Sequence, residues 1–253
     1  MKRLILISIF FIITLLTCKE KEQETYNADF IINEAIKQAG GKHIENSVIE
    51  FSFRNKHYTA ARNSGEFQYT RAFKDSLNHI KDVLSNSGFQ RFVNCELLSI
   101  QDSMAVKYSS SVNSVHYFSV LPFGLNDEAV NKEYIKKIFI KDRAYHKIKV
   151  TFNKENGGED FEDVFVYWID SESYKLEYLA YSYIESDGIG LRFREAYNER
   201  YVNGVRFVDY NNYKPKENNV SVFNLDSLYG EEKLQLLSKI KLEKIKLEKI
   251  KVN

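Results

Sequence analysis

Ser114 to Val130 reads SVHYFSVLPFGLNDEAV, and how this stretch folds decides the architecture. It is the densest apolar block beyond the leader and holds one of only two prolines in 253 residues. Strand-like segments stand on both sides of it, so the block is expected to fill the hollow of a sheet. Residues 112–121 suit two elements. Val112, Val115, Ser119 and Val120 fit a helix face, whereas Val115, Tyr117 and Leu121 fit a buried strand, and Pro122 stops either. The helix is favoured because Asn126-Asp127-Glu128 opens what reads as a second capped segment running through Tyr134.

Working outward toward the N-terminus, Asn27 is a good N-cap for a short amphipathic helix. Phe30, Ile31, Ala35, Ile36 and Ala39 follow at helical spacing, and Gly40-Gly41 closes it. From Ser47 the period drops to two. Ile49, Phe51 and Phe53 share one face of a strand, and His57 to Arg62 and Phe67 to Phe73 give two more. His79 to Leu84 and Phe89 to Leu97 flank a hairpin loop at Asn86-Ser87-Gly88. Asp102 to Tyr108 is expected to be a helical turn and Ser109 to Ser111 a loop or cap.

Toward the C-terminus the alternation strengthens. In Tyr145 to Phe152, Ile148, Val150 and Phe152 oppose Lys147, Lys149 and Thr151, which predicts one wet face. Phe161 to Ile169 and Tyr174 to Ile184 are apolar on both faces and need cover on both sides. A loop at Ser171 to Ser173 would set Trp168 opposite Leu176, Val166 opposite Tyr178, Val164 opposite Ala180 and Phe165 opposite Leu179. Leu191 to Tyr201 and Val205 to Tyr213 meet at Asn203-Gly204, the best type I′ turn in the chain. The expected fold class is α+β: a curved, open antiparallel β-sheet, a half-barrel, with helices packed on its concave face. In the C-terminal repeat at 239–251, Lys239-Ile240-Lys241-Leu242-Glu243 recurs at 244–248. Its odd period sends the apolar residues of successive copies to opposite faces of a strand. One copy is expected to complete the last strand, with the surplus carried as a bulge or mobile extension.

The N-terminus carries the clearest address. Lys2 and Arg3 precede an apolar run from Leu4 to Leu16, the length of a signal-peptide core and short for a membrane span. Residues 1–17 are expected to be a signal peptide. Leu15-Leu16-Thr17-Cys18 resembles the lipobox of bacterial lipoproteins, whose cysteine is acylated and becomes the first mature residue, although Leu16 and Thr17 are larger than usual. Residues 18–25 then form a lipidated, highly charged tether, and 26–253 a single domain. Cys95 remains as a lone thiol, expected to be a small buried hydrophobe. The protein would sit in the cell envelope, held to the outer membrane by the lipid on Cys18 and facing the periplasm or displayed on the surface. The charge of +1 includes Lys2 and Arg3, so the mature chain is near neutral and lacks the basic surface of a nucleic-acid binder.

Candidate chemistry is sparse. The five histidines show no metal-ligand or catalytic spacing, and His116 in the apolar block reads as a buried core histidine. Glu159, Asp160, Glu162 and Asp163 after Gly157-Gly158 read as a hairpin tip before they read as a cation loop. No metal and no cofactor is implied. On an extended Leu191 to Tyr201, Arg192, Arg194, Asn198 and Arg200 share a face. They suit either an anionic head group or ion pairs with adjoining strands. Trp168, Tyr181, Tyr183 and Phe118 are candidates to line an apolar hollow.

Leu121 to Asp127 (LPFGLND), Tyr145 to Phe152 (YHKIKVTF), Gly157-Gly158 and Asp163 to Asp170 (DVFVYWID) resemble an uncharacterised lipoprotein family, domain of unknown function 6503. Tyr178 to Tyr181 (YLAY) and Arg192 to Asn198 (RFREAYN) extend the resemblance. That family in turn resembles the LolA and LolB half-barrel lipoprotein carriers, which implies a cupped sheet that holds acyl chains. The expected function is a membrane-anchored lipoprotein that binds an apolar or amphipathic, lipid-like ligand in the hollow of the sheet, without catalysis, with helix 112–121 as a gate. The alternative is a structural or interaction lipoprotein of the envelope with a closed core. An enzyme such as an aldolase fits less well, because the repeated βα pattern of its barrel is missing.

Overall fold

The computed structural model describes residues 26–155, 161–185, 188–217 and 219–250. The expected signal peptide, Cys18 and the expected tether lie outside them, as do Gly157, Gly158, Glu159 and Asp160 of the acidic loop. The chain opens with α1 (Ala28–Gln38), capped as expected by the Asn27 side chain, which accepts from the Asp29 and Phe30 amides. Six strands follow: β1 (Ser47–Phe53), β2 (Lys56–Asn63), β3 (Glu66–Asp75), β4 (Asn78–Ser85), β5 (Gly88–Val93) and β6 (Glu96–Leu98). Helix α2 (Asp102–Ser119) comes next, then β7 (Val130–Ile140), β8 (Arg143–Phe152), β9 (Val164–Asp170), β10 (Leu176–Glu185), β11 (Gly188–Val202) and β12 (Val205–Pro215). A short α3 (Leu225–Gly230) precedes β13 (Leu234–Ile240) and β14 (Glu243–Lys249).

All pairings are antiparallel and the arrangement is open, with helices packed on it, as the fold class requires. The strands divide, however, into two sheets of seven, ordered β14-β1-β2-β3-β4-β5-β6 and β13-β12-β11-β10-β9-β8-β7. Tight turns make this meander possible. Arg54-Asn55, Ser64-Gly65, Asn94-Cys95, Lys141-Asp142 and Asn203-Gly204 each have both residues at positive φ, the twist-matched type I′ geometry. Cys95 therefore sits exposed on a turn and not in the core, because the hairpin needs its backbone there more than the interior needs its thiol.

Both faces of the second sheet are covered, which is why β9 and β10 are apolar throughout. Ile148, Val150, Phe165, Tyr167, Leu179 and Tyr210 pack on one face with Ile31 and Ile32 of α1 and with Leu121 and Leu125. Val166, Trp168, Tyr178, Ala180 and Phe193 pack on the other beneath Val222 and Leu225. The expected wet face of β8 is dry at Lys147 for the same reason, while Lys149 and Thr151 stay half-exposed and Lys149 pairs with the exposed Glu133 at 3.0 Å. Lys147 is buried and donates to Asp226 Oδ2 at 2.7 Å and to the Phe223 carbonyl at 2.5 Å, while Trp168 Nε1 donates to the same Asp226 oxygen at 3.1 Å.

Four further expectations are corrected. Asp102 to Ser119 is one continuous helix, so Ser109 to Ser111 make no break; Ser111 instead accepts from Arg71 at 2.7 Å. Residues 126–134 are not helical: tight turns lead straight into β7. The β9–β10 pairing is displaced by two residues, Trp168 facing Tyr178 and Val166 facing Ala180, with an irregularity between Leu176 and Tyr178. From Tyr178 onward a slip of two keeps the side chains on their predicted faces, but the irregularity turns Leu176 to the opposite face, where it pairs with Ile169 and not with Trp168. Finally, both repeat copies are structural. The first ends β13, paired with β12, and the second forms β14, paired with β1, so the chain crosses between sheets at Lys241-Leu242. Leu242 and Leu247 are buried together with Ile49, Phe51 and Phe207.

Candidate functional site

Helix α2 shapes the site. Val112, His116 and Ser119 recur at helical spacing and form its buried stripe, which lies against the first sheet. His116 Nε2 meets the Thr70 carbonyl at 3.0 Å and its ring stacks on Tyr69. Its Nδ1 finds no partner, so burial holds the imidazole neutral with its pKa lowered to about 3. Arg91 sits 3.4 Å over the Tyr108 ring near the start of the helix. Beneath the helix, Asp82, fully buried, receives both Arg71 and Arg91.

The opposite side of α2 looks toward the second sheet and leaves space on both flanks. One cavity, of about 430 Å³, is walled by Phe165, Tyr181, Tyr183, Arg192, Arg194, Val208 and Tyr210 of the sheet and by Ser114, Val115, Phe118 and Ser119 of α2; Phe53, Asp163, Ile240 and Leu242 close it. A second, of about 620 Å³, runs along the other flank between Phe67, Leu84 and Phe89 of the first sheet, Ala105, Val106, Ser109, Asn113 and Tyr117 of α2, and Phe152. Ser114, Phe118 and Phe165 belong to both. Phe118 is the partition, 6.2 Å from Phe165 and 5.5 Å from Tyr181 between ring centroids.

Strand parity explains which expected residues meet. Tyr181 faces Phe165 across β9 and β10, and Arg192 and Arg194 project from β11 to the same side, so Phe118, Tyr181, Tyr183, Arg192 and Arg194 converge on the first cavity. Trp168 does not. It lies one step out of phase with Phe165, on the far face, where Asp226 holds its indole. Arg200 also leaves the group. The β11–β12 register shifts between Tyr197 and Arg200, with Asn198 at φ 52°, and Arg200 is taken by Asp209 at 2.8 Å. The arginine clamp is thus a pair and not a trio.

Burial pushes the phenol of Tyr117, in the second cavity, above its usual range and that of Tyr210, in the first, to about 12, so these two wall groups stay uncharged. Charge is confined to Asp163, Arg192 and Arg194 on the first cavity and Asp102 at the edge of the second. Neither cavity has a histidine or cysteine in its wall, and among the described residues no group of three His, Cys, Asp or Glu side chains is placed to hold a metal. What the arrangement can do is shelter an apolar chain and meet a polar end with cations. Sequence reasoning missed Tyr210, Val208 and the whole second cavity. Their parity was legible in β12, but which elements faced them was not.

The model of the family of unknown function DUF6503 matches residues 7–242. The chain belongs to this family. No curated protein matches it. Among solved structures, this DUF6503 chain is similar to a LolA superfamily protein of Nitrosomonas europaea, at 8% identity and a TM-score of 0.49, over 90% of this chain and 95% of that one. A putative outer membrane lipoprotein-sorting protein domain from Vibrio parahaemolyticus is similar at 8% identity and a TM-score of 0.40, over 81% and 100%. Lipoprotein LppX of Mycobacterium tuberculosis is similar at 11% identity and 0.28, over 62% and 90%. Likenesses this remote assign neither ligand nor activity.

Proposed function

We propose that this DUF6503 protein is a single-domain envelope lipoprotein, anchored to the outer membrane through Cys18, that binds an apolar or amphipathic, lipid-like molecule between α2 and the second sheet without transforming it. The paired cavities carry this reading. Each falls within the range of about 300–1,000 Å³ typical of small-molecule pockets, both are lined mainly by aromatic and aliphatic side chains, and a structural lipoprotein with a closed core would have filled them. Helix α2 is suited to gate them: its serine-rich flank lines both cavities, while Val112 and His116 hold its other side to the first sheet. The leader, the motif ending at Cys18 and the charged run at 19–24 support anchoring.

The test is native mass spectrometry of the Cys18→Ser protein purified from the soluble fraction of its expression host. A discrete added mass that organic extraction removes and identifies as a lipid is the expected result. A bare protein that also fails to take up lauryl alcohol or lauric acid would sink the reading.

A further inference from the structure

Arg194 is the least expected side chain in the wall of the hollow. It is 9% exposed, its guanidinium lies 4.1 Å from the Phe118 ring centroid and 5.0 Å from that of Tyr181, and its Nη2 donates to the Tyr181 hydroxyl at 2.8 Å. Its Nε has no partner, and among the described residues no carboxylate reaches it. Arg71, Arg91, Arg200 and Arg206 by contrast each hold one. Arg62 also lacks one, but the cavity beside it measures only about 220 Å³. A cation removed from water and left without an anion is costly, and the two ring faces offset part of that cost. A planar guanidinium with donors to spare is shaped for an oxyanion.

We propose, building on the binding function above, that the ligand is a single-chain anionic amphiphile. Its carboxylate or phosphate monoester docks on Arg194 in the first cavity, and its hydrocarbon chain passes Phe118 into the second. The chemistry of the two chambers divides accordingly. The cations line the first, whereas Phe67, Leu84, Phe89, Val106 and Phe152 line the second, and the shared wall at Ser114 and Phe165 makes them continuous when the Phe118 ring turns aside.

Isothermal titration of the Cys18→Ser chain with lauric acid, lauryl phosphate, lauryl alcohol and inorganic phosphate tests this. The acid, the phosphate ester or both should bind about tenfold or more tightly than the alcohol, the worth of one hydrogen-bonded charge contact; the tighter of the two identifies the head group. Arg194→Met should erase that preference, bringing the acid and the ester to the affinity of the alcohol. Arg62→Met, which removes a guanidinium from the smaller cavity, should keep it. Equal binding of acid, ester and alcohol by the unmodified pocket would overturn this inference and leave the binding function standing, and that comparison needs no variant to fold. Inorganic phosphate binding as tightly as the ester would replace the amphiphile with a free-anion site. Failure of every lipid to bind would remove the binding function itself.

Discussion

At the scale of single residues, His116 sets how the fold meets acid. Its pKa falls from 6.5 to about 3 because burial disfavours the imidazolium, with Arg62 and Arg71 adding to the effect. A lowered folded-state pKa gives stability that is whole above the unfolded value of 6.5 and is lost as pH falls toward 3. The loss runs at up to about 1.4 kcal/mol per pH unit. His116→Phe keeps a ring against Tyr69 but cannot titrate. Urea unfolding at a series of pH values should show the variant about 1 kcal/mol weaker at neutral pH, where the bond to Thr70 is lost, yet with a flatter decline between pH 6 and pH 4. Parallel declines for both proteins would mean that His116 does not govern this limb. The burial of His116 was legible, since it sits amid apolar neighbours. The exposure of Cys95 was not, because the Asn94-Cys95 turn lacks the glycine that marks Asn203-Gly204.

At the scale of elements, periodicity located most strands and failed where tertiary partners outweigh local signals. Three consecutive serines read as a break at 109–111, yet α2 runs through them, its Ser111 tied to Arg71. The lysine-rich β7 shows weak alternation and is held by ten residue pairings with β8. The repeat is the largest reversal. With Leu247 3% exposed and β14 running along β1, deletion of Lys244 to Glu248 should collapse the first sheet, not leave it unchanged. The milder Leu247→Ala should cost about 2–5 kcal/mol in chemical denaturation, as truncation of a buried leucine does, whereas Leu237→Ala, at an exposed position, should fall within about 0.5 kcal/mol of the parent. Equal small effects would return β14 to the status of a loose extension.

At the scale of the whole molecule, an open antiparallel fold with plugging helices was legible from the alternation and the central apolar block. Its division into two sheets was not, because strand partnership over long separations leaves no local mark. The proposed anchor makes its own prediction. Cys18→Ser should move the protein from the membrane pellet to the supernatant on fractionation, since no described helix is long and apolar enough to cross a bilayer. Persistence in the pellet would argue against acylation at Cys18. The handover at Lys241-Leu242 bears on when the protein can fold. Strand β1 lies near the start of the domain, and one of its two neighbours, β14, lies some 200 residues later. At synthesis rates of about 5–20 residues per second, the gap between them is on the order of 10–40 s, and a chain exported N-terminus first emerges in the same order. Throughout that interval β1 presents a bare ladder of amides and carbonyls to other chains. The hairpins from β1 to β6 can zip locally, but the sheet is sealed only when β14 arrives, so if the chain is exported as proposed, chaperone protection should matter most for this one edge.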